Sequence, residues 1–195
     1  MTNMSSSASG VLEHIYQEPQ FGENWFSYST IYKSVVELFP TGSKFVEVGC
    51  WKGKSAAFMA VEIANSGKDI EFYCVDHWLG GPDHQGWDVL PDLHRIWRSN
   101  MAPLTNYYTE MKKSSIEASQ EFENDSLEFV FIDASHEYED VKADIEHWMP
   151  KVKEGGIIAG HDYDPGHPGV QQAVDELMEG KKFDYYEKCW IHKKL

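Results

Sequence analysis

Apolar and polar residues follow two alternating patterns from residue 44 to the C-terminus. Short apolar segments rich in β-branched and aromatic residues alternate with longer amphipathic segments, which is typical of strands connected by helices. The predicted strands cover residues 44–48, 70–75, 106–110, 127–132, 156–160, 183–187 and 188–192. The sequence therefore predicts an α/β fold with one doubly wound, seven-stranded and mostly parallel sheet.

Three of the amphipathic segments have helical periodicity. They cover residues 53–64, 141–149 and 168–177, and each is followed by a residue that ends helices, namely Gly67, Pro150 or Gly180. Packing against the sheet explains the apolar face of each segment, so we attribute no chemistry to these faces.

The last two predicted strands are joined almost without a loop. Parallel neighbours need a long crossover connection, so these two strands should form an antiparallel hairpin that reverses the final strand of the sheet. Residues 77–91 contain three glycines and two prolines and predict a long loop over the carboxyl edge of the sheet. The aromatic segment 21–26 is a second candidate to cover that edge.

The composition is that of one folded domain. A chain of 195 residues with 42% hydrophobic residues can bury a core of its own, so we expect a single domain over residues 11–195. Residues 1–10 are rich in serine, lack the features of a signal peptide, and are expected to form a disordered leader. The sequence contains no run of about 18 apolar residues, which argues against a membrane span.

The chain is acidic, with a net charge of −15 and a pI near 4.9. Most of such a surface would repel nucleic acid and anionic membranes, so neither is an expected partner and a small-molecule ligand is favoured. The three cysteines are scattered and form no Cys-x-x-Cys pair, so we expect a reducing, cytoplasmic environment. A homo-oligomer is compatible with this composition.

Polar residues directly follow the fourth and fifth predicted strands. Asp133 and His136 follow the strand at 127–132, and His161 and Asp162 follow the strand at 156–160. Consecutive parallel strands end at the same edge of a sheet, where ligands bind, so these four side chains should lie close together. Carboxylates and imidazoles are suited to metal binding or proton transfer. The sequence thus predicts a functional site at this edge.

The turn after the first strand carries the motif Glu47-x-Gly49-x-x-x-Gly53. Glycines here let a ligand approach the backbone closely, but the spacing fits neither a pyrophosphate-binding fingerprint nor a P-loop. Glu47 would repel a phosphate and attract a cationic ligand. Asp76 follows the second strand, where an acid holds ribose hydroxyls in related folds, although such an acid is about as often only a turn cap. Together these features favour a nucleoside ligand.

These motifs resemble those of the class I S-adenosylmethionine-dependent methyltransferases, in particular the group related to macrocin O-methyltransferase. The most specific similarity lies in residues 129–141 and 155–163. The resemblance implies a Rossmann-like fold with S-adenosyl-L-methionine as cofactor, its methionine part near Gly49, its ribose near Asp76 and its adenine near Ser115. The cofactor-binding residues that it implies are Glu47, Gly49, Cys50, Trp51, Gly53, Ser55, Asp76, His77, Ser115, Ile116 and Asp133.

In the metal-assisted O-methyltransferases that the chain resembles, acids at the ends of the fourth and fifth strands hold a divalent ion. Asp133 matches the first position and Asp162 matches part of the second, and His161 beside it is a further candidate ligand. The resemblance implies Mg²⁺ or Ca²⁺ with a small acceptor such as a sugar or phenolic diol. The expected catalytic residues are Asp133, His136 as the base that takes the hydroxyl proton, and His161 as an alternative base.

Two other functions remain open from the sequence. A nicotinamide-dependent oxidoreductase would also use an acid after the second strand, although its glycine fingerprint is missing. A noncatalytic protein could keep the same pocket as a cofactor-binding module. His136 could simply cap the following helix and His161 could bond to backbone alone, so the two histidines do not decide between these functions.

Overall fold

A computed structural model describes residues 10–195. The strands are β1 (Lys44–Val48), β2 (Glu71–Asp76), β3 (Thr109–Lys112), β4 (Leu127–Ile132), β5 (Val152–Gly160), β6 (Asp184–Tyr186) and β7 (Cys189–Lys193). The α-helices are α1 (Ser29–Leu38), α2 (Lys54–Ser66), α3 (Leu93–Met101), α4 (Ser115–Ser119), α5 (Tyr138–Trp148) and α6 (Pro168–Leu177). Of the expected leader, residues 1–9 lie outside the described residues, and Gly10 is exposed.

The strands form one sheet in the order β3-β2-β1-β4-β5-β7-β6. The pairs among β1 to β5 are parallel, and β7 runs antiparallel to both β5 and β6. The predicted seven-stranded sheet with a reversed final strand is therefore confirmed. The turn between β6 and β7 consists of Glu187 and Lys188, which have φ values of +46° and +67°. Two such residues form the tight hairpin turn whose twist matches the flanking strands.

The sheet separates two apolar layers. Phe45, Phe129 and Phe131 belong to the layer that includes residues of α1, α2 and α3, whereas Val46 and Val130 belong to the layer with residues of α5 and α6. Successive strand residues point to opposite faces, which explains why Phe45 and Val46 separate. Each of these side chains is at most 1% exposed, and burying one of this size contributes roughly 1.5–3 kcal/mol.

Three elements differ from the sequence-based expectation. Strand β5 begins at Val152, four residues before the predicted 156. Strand β3 covers Thr109–Lys112, shifted from the predicted 106–110, because the aromatic pair Tyr107 and Tyr108 packs on the core before the strand begins. Helix α1 was not predicted, although its buried Ile31, Tyr32, Val35 and Val36 have helical spacing. Its position matters for the site, because the residues just before α1 contact the carboxyl edge of the sheet.

The strand order changes direction between β1 and β4: β2 and β3 are added on one side of β1, and β4 and β5 on the other. β1 and β4 are therefore parallel neighbours although they are far apart in sequence. Ligands of open α/β sheets bind at such a point, outside the carboxyl ends of the strands. Among residues 10–195, no helix is long and apolar enough to cross a bilayer.

Candidate functional site

A cleft of about 900 Å³ opens at the carboxyl edge of the sheet. Two segments cover it, one around residues 21–28 and one around 77–87, and both were expected near this edge. Of the residues that the sequence singled out, the following line the cleft: Gly49, Cys50, Trp51, Ser55, Asp76, His77, Ser115, Ile116, Asp133, His136, His161 and Asp162. The fold thus brings the glycine turn and the strand-end cluster to one cavity.

The glycine turn is fixed between the ends of β2 and β4. Gly49 donates its N–H to the carbonyl of Val75 at 2.9 Å and has φ +90°, a value that L side chains rarely adopt. A Cβ on Gly49 would overlap the backbone carbonyl of Asp133, with the carbonyl carbon at 2.6 Å. Glycine is therefore required here for two reasons, the backbone conformation and the close approach of β4.

Asp76 organises the same turn. Its Oδ2 accepts hydrogen bonds from the backbone N–H groups of Cys50 and Trp51, both at 2.9 Å, and its Oδ1 accepts one from Trp78 N–H at 2.6 Å. The turn-capping function that the sequence left open is thus present. Both acceptor sites of Oδ2 are thus used, whereas Oδ1 has one left, with which the group that shapes the turn can also accept a hydroxyl hydrogen bond from a ligand in the cleft.

Two of the predicted cofactor contacts are corrected by the structure. Glu47 is 0% exposed and lies beneath the cleft wall, where its Oε1 accepts a 2.5 Å hydrogen bond from Ser55 Oγ. Gly53 has φ +92° and faces α3, because a Cβ there would approach Met101 and Trp97 within 3.0–3.2 Å. Both residues support the glycine turn from behind, whereas the sequence motif predicted that they would line the cleft.

Burial raises the pKa of Glu47 to about 8, and the nearby charge of Asp133 acts in the same direction. Its Oε2 is buried and has no hydrogen-bond partner among the described residues. The folded protein therefore holds this carboxyl protonated at neutral pH.

We expect the raised pKa of Glu47 to make stability fall with pH. Below pH 4.5 the stabilisation from this raised pKa is fully present. Between pH 4.5 and about 8 only the folded state keeps the proton, so the free energy of unfolding falls by about 3–5 kcal/mol as the pH rises over this range. Urea unfolding at pH 5 and pH 8.5 should show this loss in the wild type and a much smaller one in Glu47→Gln. The exposed Glu13→Gln serves as control, and an equal pH dependence in the wild type and Glu47→Gln would contradict the assignment.

The opposite end of the cleft is formed by the start of α4 and by α5. Ser115 Oγ accepts a 2.9 Å hydrogen bond from Trp148 Nε1, which fixes the hydroxyl beside Ile116. Asp144 also borders this end, and burial raises its pKa to about 6. In the sequence, the position of Asp144 on the buried face of α5 gives no sign that it faces a cavity.

The strand-end cluster begins with Asp133, whose Oδ2 accepts a 2.7 Å hydrogen bond from the buried Tyr28 hydroxyl. His161 lies beside it, with Nδ1 at 3.9 Å from Asp133 Oδ1 and 3.2 Å from Asp162 Oδ1. The other ring nitrogen of His161 lies 3.0 Å from Ser27 Oγ. Burial raises the pKa of Asp133, although the neighbouring His161 counteracts part of this effect.

His136 completes the cluster and contacts two carboxylates. Its Nε2 lies 3.0 Å from Asp162 Oδ2, and its Nδ1 lies 2.9 Å from Asp83 Oδ2, a residue of the covering loop. The hydrogen bond to Asp162 raises the pKa of His136 to about 9. Burial alone would raise the pKa of Asp162, but the hydrogen bonds from His136 and His161 hold it well below its usual range. Asp162 has φ +58°, an uncommon conformation that aspartate tolerates and that occurs at functional sites.

The donor atoms of this cluster could hold a metal ion. Asp133, His161 and Asp162 each offer one ligand atom, and these atoms lie within 4.8 Å of one another. Two carboxylates and an imidazole suit a divalent cation, and the imidazole departs from the all-oxygen set that Mg²⁺ and Ca²⁺ prefer.

Sequence reasoning missed four side chains of the cluster, namely Ser27, Tyr28, Asp83 and His167. The covering segments themselves were anticipated from their aromatic, glycine and proline content. Which of their residues reach the strand ends depends on loop conformation, for which the sequence carries no periodic signal.

An aromatic group forms the rim of the cleft above the glycine turn. The ring of Trp51 stacks on His84 with 4.4 Å between the ring centres. The rings of Trp51, Trp25 and Trp87 also contact one another, with 5.8–6.1 Å between their centres. Trp25 and Trp87 are 49% and 39% exposed, so one side of this group faces solvent. The rim therefore offers apolar faces to a ligand that enters the cleft.

A comparison with protein families decides the identity of this fold. A family model described as a methyltransferase domain matches residues 46–163, which is more than half of the chain and spans the glycine turn and the strand-end cluster. The chain belongs to methyltransferase family 24. The family membership agrees with the resemblance to class I methyltransferases that the strand ends predicted.

One curated relative matches part of the chain. The uncharacterized protein y4gI of Sinorhizobium fredii is 29% identical to the methyltransferase chain over 119 residues. These residues are 61% of this chain and only 13% of that protein, so the chain spans about one eighth of the relative's length.

Solved structures share the methyltransferase fold at low sequence identity. The O-methyltransferase NovP has a TM-score of 0.66 and 19% identity, with 85% of this chain and 78% of NovP covered. CalS11, a TDP-rhamnose 3′-O-methyltransferase of calicheamicin biosynthesis, has a TM-score of 0.59 and 13% identity, with 85% and 76% covered. At these identities the similarity establishes the Rossmann-like fold and leaves the acceptor open.

Proposed function

We propose that the protein transfers a methyl group from S-adenosyl-L-methionine to a hydroxyl of a small acceptor. The observation that carries this proposal is the shared cleft, in which the glycine turn and Asp76 lie beside the cluster of Asp133, His136, His161 and Asp162. Family membership supports methyl transfer in general. The paired acids and histidines support an oxygen acceptor, because a hydroxyl must lose its proton as it is methylated.

The cofactor fits the half of the cleft built by the ends of β1, β2 and β3. S-adenosyl-L-methionine supplies an electrophilic methyl group on a sulfonium centre. Gly49 lines this half of the cleft, Asp76 Oδ1 can accept one further hydrogen bond from a ribose hydroxyl, and Ser115 and Ile116 border the space for adenine. Asp133 lies where the two halves of the cleft meet, since its backbone contacts Gly49 and its carboxylate belongs to the cluster.

Asp133, Asp162 and His161 would hold a divalent ion such as Mg²⁺ or Ca²⁺. When bound, such an ion lowers the pKa of an acceptor hydroxyl and fixes its oxygen. Tyr28 and Ser27 hold Asp133 and His161 in position through hydrogen bonds of 2.7 and 3.0 Å. Orienting bonds of this kind fix the geometry of ligands and are typical of metal sites.

His136 is the base in this proposal. Asp83 faces its Nδ1 and would keep the proton there, which directs the lone pair of Nε2 toward the cluster. The contact with Asp162 keeps a second proton on Nε2 at neutral pH, so His136 must release this proton before it can act as a base. Asp162 would favour that release when it holds an ion, because its negative charge is then neutralised, and Nε2 would then accept the hydroxyl proton. His161 is the alternative base, but its side chain is only 7% exposed and both of its nitrogens already have partners.

The acceptor is proposed to be a sugar or phenolic diol. Two adjacent hydroxyls would suit a metal-assisted site, and the half-exposed rings of Trp25 and Trp87 could contact the flat face of a sugar or phenol. The printed description of CalS11, a sugar O-methyltransferase, supports the sugar class by analogy of fold alone. The rival oxidoreductase function lacks both the dinucleotide fingerprint and family support.

Calorimetry with S-adenosylmethionine, S-adenosylhomocysteine and NAD tests the cofactor. We expect both sulfur compounds to bind and NAD not to bind. We expect Asp76→Ala to weaken binding at least tenfold, because the glycine turn loses two hydrogen bonds and the loop after β2 loses one. Asp69→Ala, which removes an acid just before β2, should leave affinity unchanged. Binding of NAD alone would overturn the assignment.

Transfer of labelled methyl to an acceptor panel then tests the reaction. Dihydroxybenzoate and TDP-rhamnose represent the phenolic and sugar diols. Turnover of one panel member that stops in a chelator and returns with Mg²⁺ is the expected result. Cofactor binding without turnover of any diol, in the wild type and with Mg²⁺ present, would favour the noncatalytic cofactor-binding module.

A further inference from the structure

A second group of ligand atoms lies beside the expected ion site and includes a residue that the proposed function does not use. His136, Asp162 and His167 each present one ligand atom, and these atoms lie within 4.8 Å of one another. His136 Nε2 is 3.0 Å from Asp162 Oδ2, and His167 Nδ1 is 3.5 Å from Asp162 Oδ1. Ligands that surround a tetrahedral Zn²⁺ at about 2.0–2.1 Å are roughly 3.3 Å apart. The three ligand atoms would therefore approach one another by up to about 1.5 Å from the 4.8 Å limit to close such a site.

The outer contacts of His136 are those of a metal-binding imidazole. Histidine ligands usually bind through one nitrogen and donate the N–H of the other to a carboxylate or carbonyl. His136 has this arrangement, with Nε2 in the cluster and Nδ1 at 2.9 Å from Asp83 Oδ2.

His167 contributes an atom that lacks a hydrogen bond in the folded protein. Its Nδ1 is buried and has no hydrogen-bond partner within residues 10–195, although Asp162 and Asp164 lie at 3.5 Å. The residue is held in place at the start of α6, directly before Pro168. A bound cation would satisfy this nitrogen without rearrangement of the helix.

We propose that His136, Asp162 and His167 form a second cation site, which takes a borderline first-row ion such as Zn²⁺ rather than Mg²⁺. Two imidazoles and one carboxylate are the donors that such ions prefer, whereas Mg²⁺ and Ca²⁺ prefer oxygen. The local charge also favours a cation, because Asp83, Asp162 and Asp164 face the site and Lys188 is paired with Asp164 at 3.0 Å.

Occupation of this site would inhibit methyl transfer, a consequence that rests on the proposed function. The lone pair of His136 Nε2 can bind either a proton or a metal ion, so a Zn²⁺ ligand cannot act as base. Asp162 belongs to both ion sites, and the same chain would thus be activated by a hard ion and inhibited by a borderline one.

Binding of Zn²⁺ to the full chain without an affinity tag tests the site directly. Titration calorimetry with ZnCl₂, and the visible absorption of Co²⁺ as a spectroscopic substitute, should show binding that millimolar Mg²⁺ does not abolish. We expect His167→Gln to weaken Zn²⁺ binding at least tenfold. His147→Gln is the matched control, because it removes an exposed histidine of α5 whose side chain, within residues 10–195, bonds to Ala143 of its own helix alone.

Asp133→Asn separates the two sites, because Asp133 belongs to the first site alone. This variant should retain Zn²⁺ affinity within about threefold, and circular dichroism should show that each variant folds. Unchanged Zn²⁺ affinity in a folded His167→Gln would overturn the proposed site. Zn²⁺ bound at full affinity without inhibition of turnover would instead overturn the base assignment of His136 and leave the site intact.

Discussion

Replacing Gly49 by alanine is expected to destabilise the protein by roughly 2–5 kcal/mol and to abolish cofactor binding. A positive φ costs an L residue roughly 1–2 kcal/mol, and forcing extra atoms into a packed region costs about 1–3 kcal/mol more. Both costs apply, because Gly49 has φ +90° and its Cβ would overlap the carbonyl of Asp133 and lie 2.9 Å from Ala134 Cα. These neighbours are backbone atoms of the β4 end, so no side chain can move to make room.

Gly42→Ala is the matched control for this substitution. Gly42 has φ +81°, close to that of Gly49, but a Cβ there meets nothing within 4 Å. The control therefore carries only the conformational cost of roughly 1–2 kcal/mol and should bind S-adenosylhomocysteine as the wild type does.

Urea unfolding and calorimetry measure the two effects separately. If Gly49→Ala is within about 0.5 kcal/mol of Gly42→Ala, the close approach of β1 and β4 does not limit this position. If Gly49→Ala is folded and binds the cofactor at full strength, the glycine turn is not the cofactor site.

The sequence predicted the sheet well because the relevant signals are local. The apolar segments at β1 and β4 are each interrupted by one glutamate only and are bounded by turn residues. The short link between β6 and β7 required a hairpin. Asp133 and Asp162 follow their strands directly, so topology alone brings them to one edge.

The remainder of the site depends on loop geometry. Tyr28 and Asp83 reach Asp133 and His136 from segments 105 and 53 residues away in sequence. No periodicity in the sequence relates such distant residues. Each lies in a loop with several other aromatic or polar side chains, and nothing in the sequence shows which of them reaches the site. The prediction for Glu47 was wrong for a different reason. The motif gave its position in β1 correctly, but it did not show that the side chain is buried within the sheet layer and does not reach the cleft.

Replacement of His136 by glutamine is expected to lower kcat by roughly 10²–10⁴-fold, the usual contribution of a general base. Affinity for S-adenosylmethionine should stay unchanged, because the proposed function assigns His136 to the acceptor and not to the cofactor. The concentration of Mg²⁺ that gives half-maximal turnover should also stay within about threefold, since the ion is assigned to Asp133, His161 and Asp162.

His161→Gln gives the contrasting result and thereby decides between the two candidate bases. His161 is assigned as a ligand, so its loss should raise the Mg²⁺ concentration for half-maximal turnover at least tenfold, and saturating Mg²⁺ should restore much of the lost kcat. Asp83→Asn adds a third point, because it leaves the imidazole in place but removes the carboxylate at its Nδ1, and it should lower kcat less than His136→Gln. If His161→Gln loses kcat that no Mg²⁺ concentration restores while His136→Gln retains near-normal turnover, the two assignments must be exchanged.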